Sequence, residues 1–383
     1  MRICVLGNQA RATFLFWRVL MLKMRALGHS VVCLIPPGDE ENENNIRELD
    51  VEIQHYSLNR KGVNPLQDLS TFNDLNHFFH REHIDYLFAS TIKPVIYGCL
   101  AARLAKIPHI YATITGLGYA FEANTFLKKV LHQLSVFLYR TALHGIEGVF
   151  FQNKDDAALF REQGILAKNA RVLFANGTGV DTERFAKAPL PDPKDGLTFL
   201  LVGRLLEAKG IREYCEAAKI VKEKYPNTQF QILGPRETGP GSIPEEEIAS
   251  WKKEGIVSYL GETNNVIPFV SACHVLVLPS WREGLPTSVM EAMSLGRACL
   301  VTDVPGCHQT VINDQNGMVV PVRDPQALAF SMVKFIVNPS LLGSMGNAGR
   351  ELAEKYYDTH VVAAGILKDM GIPTSPSSTG TSK

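Results

Sequence analysis

Net charge is missing from this chain: 39 Lys and Arg balance 39 Asp and Glu over 383 residues. Nothing in that balance points to a nucleic-acid partner. Organised cysteine is missing too. The seven cysteines form no CxxC pair and no metal-ligand spacing, which argues against a disulfide framework or structural zinc and for a reducing, cytosolic setting. Long apolar runs are absent. The longest near the start, Thr13 to Leu22, is interrupted by Arg18 and is too short to span a bilayer. No cleavable leader is expected, because Met1–Gly7 reads as a first strand. The chain has no GxxxxGK[ST] loop, which argues against Walker-type ATP hydrolysis, and no GxGxxG after the first strand, which argues against a standard dinucleotide fold. Acid is locally missing. Met1–Gly38 holds five basic residues (Arg2, Arg11, Arg18, Lys23, Arg25) and no Asp or Glu. Ile92–Phe121 again holds no acid but carries Lys93, Arg103 and Lys106, with Lys128-Lys129 following.

What is present is a soluble, globular composition, 45% hydrophobic and 20% charged, long enough for two domains. In the first half, short apolar runs (Ile3–Leu6, Val31–Ile35, Val51–His55, Tyr86–Ala89, His109–Ala112, Gly148–Phe151) alternate with helical periodicities at 14–27, 66–81, 94–105, 124–143 and 154–163. That alternation predicts a parallel sheet covered on both faces, with ligands at the carboxyl ends of its strands. Gly7-Asn8, Ser90–Lys93 and Thr115–Gly118 follow strands and should line one cleft. Three prolines and a charged turn between Ala186 and Gly196 mark a linker. The alternation then restarts at Thr198. The spacing therefore predicts a first domain over 1–186, a linker at 187–196 and a second domain over 197–355. A last helix at 356–372 could return to the first domain, and a tail at 373–383 is expected to be disordered.

Two stretches of the second half carry chemistry. Strand Thr198–Val202 ends in Gly203-Arg204, followed by Lys209-Gly210 before a helix. A guanidinium fork and a point charge at a strand's carboxyl end can grip a diphosphate. Seventy residues on, strand Val275–Leu278 leads through Ser280-Trp-Arg-Glu283-Gly284-Leu-Pro286 into a helix holding Glu291. A tight turn onto a helix start offers the backbone N–H groups of Gly284, Leu285 and Thr287 to a phosphate. Glu283 and Glu291 stand on either side, as a ligand with hydroxyls at both ends of a diphosphate would require. A nucleotide sugar is such a ligand.

In combination, Gly203-Arg204-x4-Lys209-Gly210 and Glu283-x7-Glu291 resemble the retaining GT-B glycosyltransferases of family 4 (group 1). The likeness runs over nearly the whole chain and is strongest to bacterial PglA-type enzymes acting on undecaprenyl-diphosphate-linked sugars. It implies an α/β fold, GT-B, with two Rossmann-like doubly wound domains facing a central cleft, the N-terminal one binding the acceptor and the C-terminal one the nucleotide sugar. It implies that Arg204 and Lys209 neutralise the departing diphosphate and that Gly203, Gly284, Leu285 and Thr287 hold the phosphates. Glu283 would bind donor-sugar hydroxyls and Glu291 the ribose, with the base near Gly234-Pro235-Arg236, Tyr259 and Leu260. Many family members place a His against the donor sugar; here Thr115-Gly116 occupies that loop, so Thr115 or Lys93 is the candidate, and with Gly7, Asn8 and Gly116 they are the implied acceptor or sugar contacts.

The expected reaction is transfer of a hexose or N-acetylhexosamine, N-acetylgalactosamine by preference, from a UDP-sugar to an undecaprenyl-diphosphate-linked saccharide. No nucleophilic carboxylate stands out for double displacement, so a front-face reaction on preorganised positive charge is expected. No cofactor and no metal are expected: no DxD sits in a suitable loop, and Asp303 and Asp324 are isolated. The aromatic and basic residues Phe14, Phe16, Trp17, Arg18, Lys23 and Arg25 suit either an anionic membrane surface or a helix packed on the first sheet. The expected location is the cytoplasmic face of the inner membrane. The alternatives are a transferase with a soluble acceptor, a nucleotide-sugar epimerase, or a catalytically silent nucleotide-sugar-binding protein.

Overall fold

The computed structural model describes residues 1–60, 64–116 and 126–373. The expected Leu117-Gly118 turn and the tail from 374 lie outside them, as do the side chains of 126–128, Lys128 included. The chain divides into two compact units, Gly179–Asp358 and the combination of Met1–Thr178 with the chain from Thr359 onward.

In the first unit, β1 (Arg2–Leu6), β2 (Ser30–Ile35), β3 (Glu52–His55), β4 (Tyr86–Ser90), β5 (His109–Ile114), β6 (Gly148–Phe151) and β7 (Val172–Phe174) form one sheet. Its order is β3-β2-β1-β4-β5-β6-β7, with every pair parallel. Strands buried on both faces read as continuous apolar runs, and β1 shows why. Cys4 and Leu6 enter one core with Leu75, Phe79 and Phe160, while Ile3 and Val5 enter the other with Trp17, Met21 and Phe88.

The first helix, Ala10–Ala26, settles the two readings of its aromatic face in favour of packing for Trp17. Its indole is 3% exposed, stands edge-on to Phe88 at 4.9 Å and donates from Nε1 to Ser90 Oγ at 3.2 Å. Leu15, Phe16 and Leu22 face outward. The helix Thr359–Asp369 completes this core: Val362, Ala363, Ile366 and Leu367 are buried in it, and Tyr111 donates its hydroxyl to Met370 O at 3.2 Å.

The second unit holds β8 (Thr198–Val202), β9 (Gln229–Leu233), β10 (Ser258–Tyr259), β11 (Val275–Leu278), β12 (Ala298–Thr302) and β13 (Gly317–Val320). Its order is β10-β9-β8-β11-β12-β13, again all parallel. Each sheet therefore reverses direction once, between β1 and β4 and between β8 and β11. At such a point neighbouring crossovers pass to opposite faces and leave a crevice at the strands' carboxyl ends.

The division between units falls at Thr178–Gly179, ahead of the proline-rich stretch at 187–196, which belongs to the second unit. Arg297, fully buried, holds that stretch down. It donates from Nη1 to Ala188 O at 3.1 Å and from Nη2 to Pro189 O at 2.7 Å and Ser271 O at 2.8 Å. Carbonyl dipoles take the place of a carboxylate around this cation, and burial lowers the pKa of its guanidinium. Two elements lack an apolar pattern long enough to read: the helix Glu40–Arg47, started by Asp39 accepting from Asn42 N at 3.3 Å, and the three-residue edge strand β7.

Candidate active site

The turn after β8 and the turn after β11 meet at the second unit's switch point. Lys209 Nζ lies 2.5 Å from Glu283 Oε1, although 74 residues separate them in sequence. The same Oε1 accepts from Ser280 Oγ at 2.6 Å. Thr302 Oγ1, at the end of β12, donates in turn to Ser280 O. The carboxylate is thus aimed by two donors, and the pair keeps little solvent contact, 21% for the Lys209 side chain and 12% for that of Glu283. At that exposure the attraction is screened less than at the surface.

Backbone contacts bring the two turns together. Trp281 N donates to Ala208 O at 2.8 Å. Gly210 sits at φ +70° with its carbon facing Pro279, where an added Cβ would stand 2.0 Å from the Pro279 carbonyl oxygen. From the other side Gly306, at φ +81°, presses on Gly284 O, 2.4 Å from where its own Cβ would be. Only glycine permits both approaches. The Trp281 side chain fixes the far edge, donating from Nε1 to Glu213 Oε1 at 2.9 Å beneath the Arg323 guanidinium, 3.9 Å from the ring centroid.

The helix Thr287–Ser294 starts beside Glu283. Pro286 is its N-cap residue, and no side chain caps that end. The first-turn N–H groups keep their partial positive charge for a phosphate. Glu291 lies on this helix. Desolvation pushes its carboxyl up to about 7, opposed by the charge of Arg184. Arg204 stands apart from the Lys209 pair: 59% of its side chain is exposed and Nη1 is 3.3 Å from Glu237 Oε1. Gly203 N donates to Leu233 O at 3.0 Å, closing the end of β8 onto β9. Arg236, Tyr259 and Leu260 gather at the ends of β9 and β10. The Arg236 guanidinium lies 5.5 Å from the Tyr259 ring centroid and pairs with Glu245 at 2.5 Å, and Tyr259 donates its hydroxyl to Gly234 O at 2.9 Å.

The first unit's switch point holds a cavity of about 310 Å³ lined by Asn8, Leu58, Arg60, Thr91, Lys93, Thr115 and Gly116 among others. Four of the five residues expected as acceptor or sugar contacts line it. The fifth, Gly7, supports it from behind: its carbonyl accepts from Tyr56 Oη at 2.8 Å. Lys93 sends its ammonium to Asp68 Oδ1 at 2.6 Å and Asn59 O at 2.7 Å, so part of its charge is spent on holding the helix Pro65–Arg81 to the rim. A larger open hollow of about 740 Å³ lies past β12 and β13, lined by Asp303, His308, Ile312 and Val322 among others. None of the expected donor residues reaches it.

Ser280, Trp281, Thr302, Gly306, Arg184 and Glu237 are site residues that the sequence reading passed over. Ser280 carried a usable signal, three residues before Glu283 in the same turn. Arg184 and Glu237 carried none, because only the folded chain brings them to their partners. Cys307 lies behind Glu283, and burial pushes its thiol well up, which removes it as a nucleophile. Asp324 caps the helix Pro325–Val337 through Ala327 N at 2.8 Å, and Asp303 pairs with His308 at 2.8 Å. Among the described residues no three His, Cys, Asp or Glu side chains gather as a metal site would need.

Two family models match the chain: "Glycosyl transferase 4-like domain" over residues 16–177 and "Glycosyl transferases group 1" over residues 182–352. The chain belongs to the group 1 glycosyltransferases, and its two sheets are those of the GT-B fold. Among curated relatives it is 26% identical over 380 residues to the N,N'-diacetylbacillosaminyl-diphospho-undecaprenol alpha-1,3-N-acetylgalactosaminyltransferase of Campylobacter jejuni, covering 96% of this chain and 98% of that one. It is 26% identical over 285 residues to the UDP-Gal:alpha-D-GlcNAc-diphosphoundecaprenol alpha-1,3-galactosyltransferase of Escherichia coli, 72% of each. Among solved structures, Anabaena HepE in complex with UDP superposes with a TM-score of 0.77 at 15% identity, over 97% of this chain and all of that one.

Proposed function

We propose that the chain is a retaining glycosyltransferase that moves an N-acetylhexosamine, N-acetylgalactosamine by preference, from its UDP form to an undecaprenyl-diphosphate-linked saccharide. It would serve bacterial glycan assembly from the cytoplasmic face of the membrane and need neither metal nor cofactor. The observation that carries this reading is the Lys209–Glu283 pair at the switch point, beside an uncapped helix start. A diphosphate at that start would lie within reach of the Lys209 ammonium, and the carboxylate already aimed by Ser280 would accept from sugar hydroxyls. Glu291, on the same helix, is the candidate for the ribose. The undecaprenol-diphosphate-linked acceptors named for the Campylobacter and Escherichia relatives support the lipid diphosphate.

The chemistry follows from these parts. The bond from the anomeric carbon to the β-phosphate oxygen breaks as the acceptor hydroxyl bonds to that carbon from the same face. The hydroxyl proton passes to the departing phosphate oxygen. Charge grows on that oxygen in the transition state, and Lys209, Arg204 and the helix start stabilise it there more than in the bound donor.

Nucleoside-diphosphate release, measured for UDP- and GDP-sugars one at a time with and without a polyprenyl-diphosphate disaccharide, tests the reading. Release from one UDP-sugar that depends on the lipid acceptor, persists in chelator and falls at least about a hundredfold in Lys209→Ala is expected. Equal loss of donor affinity and turnover in that variant would contradict the role given to Lys209. No UDP binding by calorimetry would sink the whole reading.

A further inference from the structure

The helix Phe126–Leu143 of the first unit turns an unusual face outward. Val136, Tyr139, Ala142 and Leu143 point into the core. On the opposite side Val130 is 49%, Leu134 44% and Phe137 61% exposed. Their spacing of four and then three places them on one stripe, about 10 Å long. A solvent-facing stripe on a soluble helix is normally polar, and leaving this one in water carries a hydration penalty.

The charge on the helix itself has one sign. The helix contains no Asp or Glu. Lys129 is exposed at its start and Arg140 near its end. Arg140 donates from Nε to Gly164 O at 2.7 Å and from Nη2 to Gln163 O at 3.0 Å. Arg103, from the adjoining helix Cys99–Leu104, donates to Thr141 O at 2.7 Å. Carbonyls hold these guanidiniums in place without cancelling their charge. Next to Arg103, Leu104 is 60% exposed and extends the apolar surface.

From the apolar stripe and its fixed cations we infer that this helix is the face by which the protein lies on an anionic lipid bilayer. The inference rests on the proposed lipid-linked acceptor for its purpose, but its own evidence is the stripe and its charge. Apolar side chains seated among acyl chains with cations at the headgroups match an amphipathic interfacial helix. The first helix, which the sequence also offered for this role, is the weaker surface: its indole is buried, and Arg18 separates Leu15 from Leu22 on the outer side.

The test reads membrane binding with no substrate present, so its failure is separable from failure of the proposed reaction. Full-length Phe137→Trp and Leu15→Trp proteins are mixed with phosphatidylglycerol–phosphatidylethanolamine vesicles or with phosphatidylcholine vesicles. The expected result is a blue shift of indole emission for Phe137→Trp on the anionic vesicles alone, beyond any shift of the native protein, and none for Leu15→Trp. In flotation, Val130→Gln/Leu134→Gln/Phe137→Ser should lose roughly tenfold or more of its vesicle partitioning and keep its melting temperature. It should also keep turnover of a short-chain, water-soluble prenyl diphosphate acceptor. Flotation of the triple variant equal to that of the native protein would overturn the inference, as would a shift seen only for Leu15→Trp. So would a native protein that ignores both vesicles and is a dimer, with the triple variant a monomer.

Discussion

Glu291 has an acid–base property that the proposed function turns into a measurement. Its carboxyl is pushed up to about 7 by burial, from an ordinary 4.5. Only the ionised form is a pure acceptor for two ribose hydroxyls. Affinity for a UDP-sugar, whose phosphates are both diesters and do not titrate here, should therefore rise between pH 6 and 8. The gain should be up to about tenfold and should level off above about 8. Calorimetric titrations across that range check it, and Glu291→Gln should bind weakly with no such slope. The consequence for folding has the opposite sign. The unfolded chain ionises this group near 4.5, so its contribution to stability is full below that value and is lost as pH climbs to about 7. At this scale the residue types were legible in the sequence and their partners were not. Lys209 and Glu283 each follow a strand, which places both at one sheet edge. That Glu283 would be shared between Lys209 and Ser280, while Arg204 turns to Glu237, depends on side-chain geometry that spacing does not encode.

Turns, more than helices or strands, set the geometry of the site. Gly210 and Gly255 both adopt left-handed backbone, φ +70° and +68°, yet a Cβ at Gly255 meets nothing within 4 Å while one at Gly210 meets Pro279 O at 2.0 Å. Gly255→Ala should cost only the conformational strain, about 1 kcal/mol. Gly210→Ala must also push apart the turns after β8 and β11 and should cost about 3 kcal/mol or more, with turnover falling alongside. Urea denaturation of the two variants, each with its rate of nucleoside-diphosphate release, compares them. Equal costs would mean that the two turns yield to one another. The strands were readable as elements because both faces of each sheet are covered and the apolar runs are nearly unbroken. The helix Glu40–Arg47 escaped notice because only Ile46 and Glu43 of its eight residues are buried, too few to set a period.

On the scale of the whole molecule, the pattern of alternation conveys two doubly wound units but not the place where the chain passes between them. Prolines at 187–196 look like a free connection, and a single buried arginine a hundred residues later, Arg297, makes them part of the second unit. The returning helix Thr359–Asp369 makes the first unit discontinuous. A chain ended after Asp358 keeps the second unit whole and strips Val362, Ile366, Leu367 and Met370 from the first. Four buried side chains are worth about 6 kcal/mol or more. Such a protein should still bind UDP by calorimetry, while limited proteolysis cuts its 1–178 portion at temperatures the full chain resists. Loss of UDP binding together with the first unit would mean that the second cannot stand without it. The same discontinuity imposes an order on biosynthesis. The ribosome delivers residues 1–178 first, but their last core helix is encoded 180 residues downstream. At roughly 5–20 residues per second the nascent first unit waits on the order of ten to forty seconds with Trp17, Met21 and Tyr111 unsealed. The later-made second unit, continuous in sequence, is complete before it.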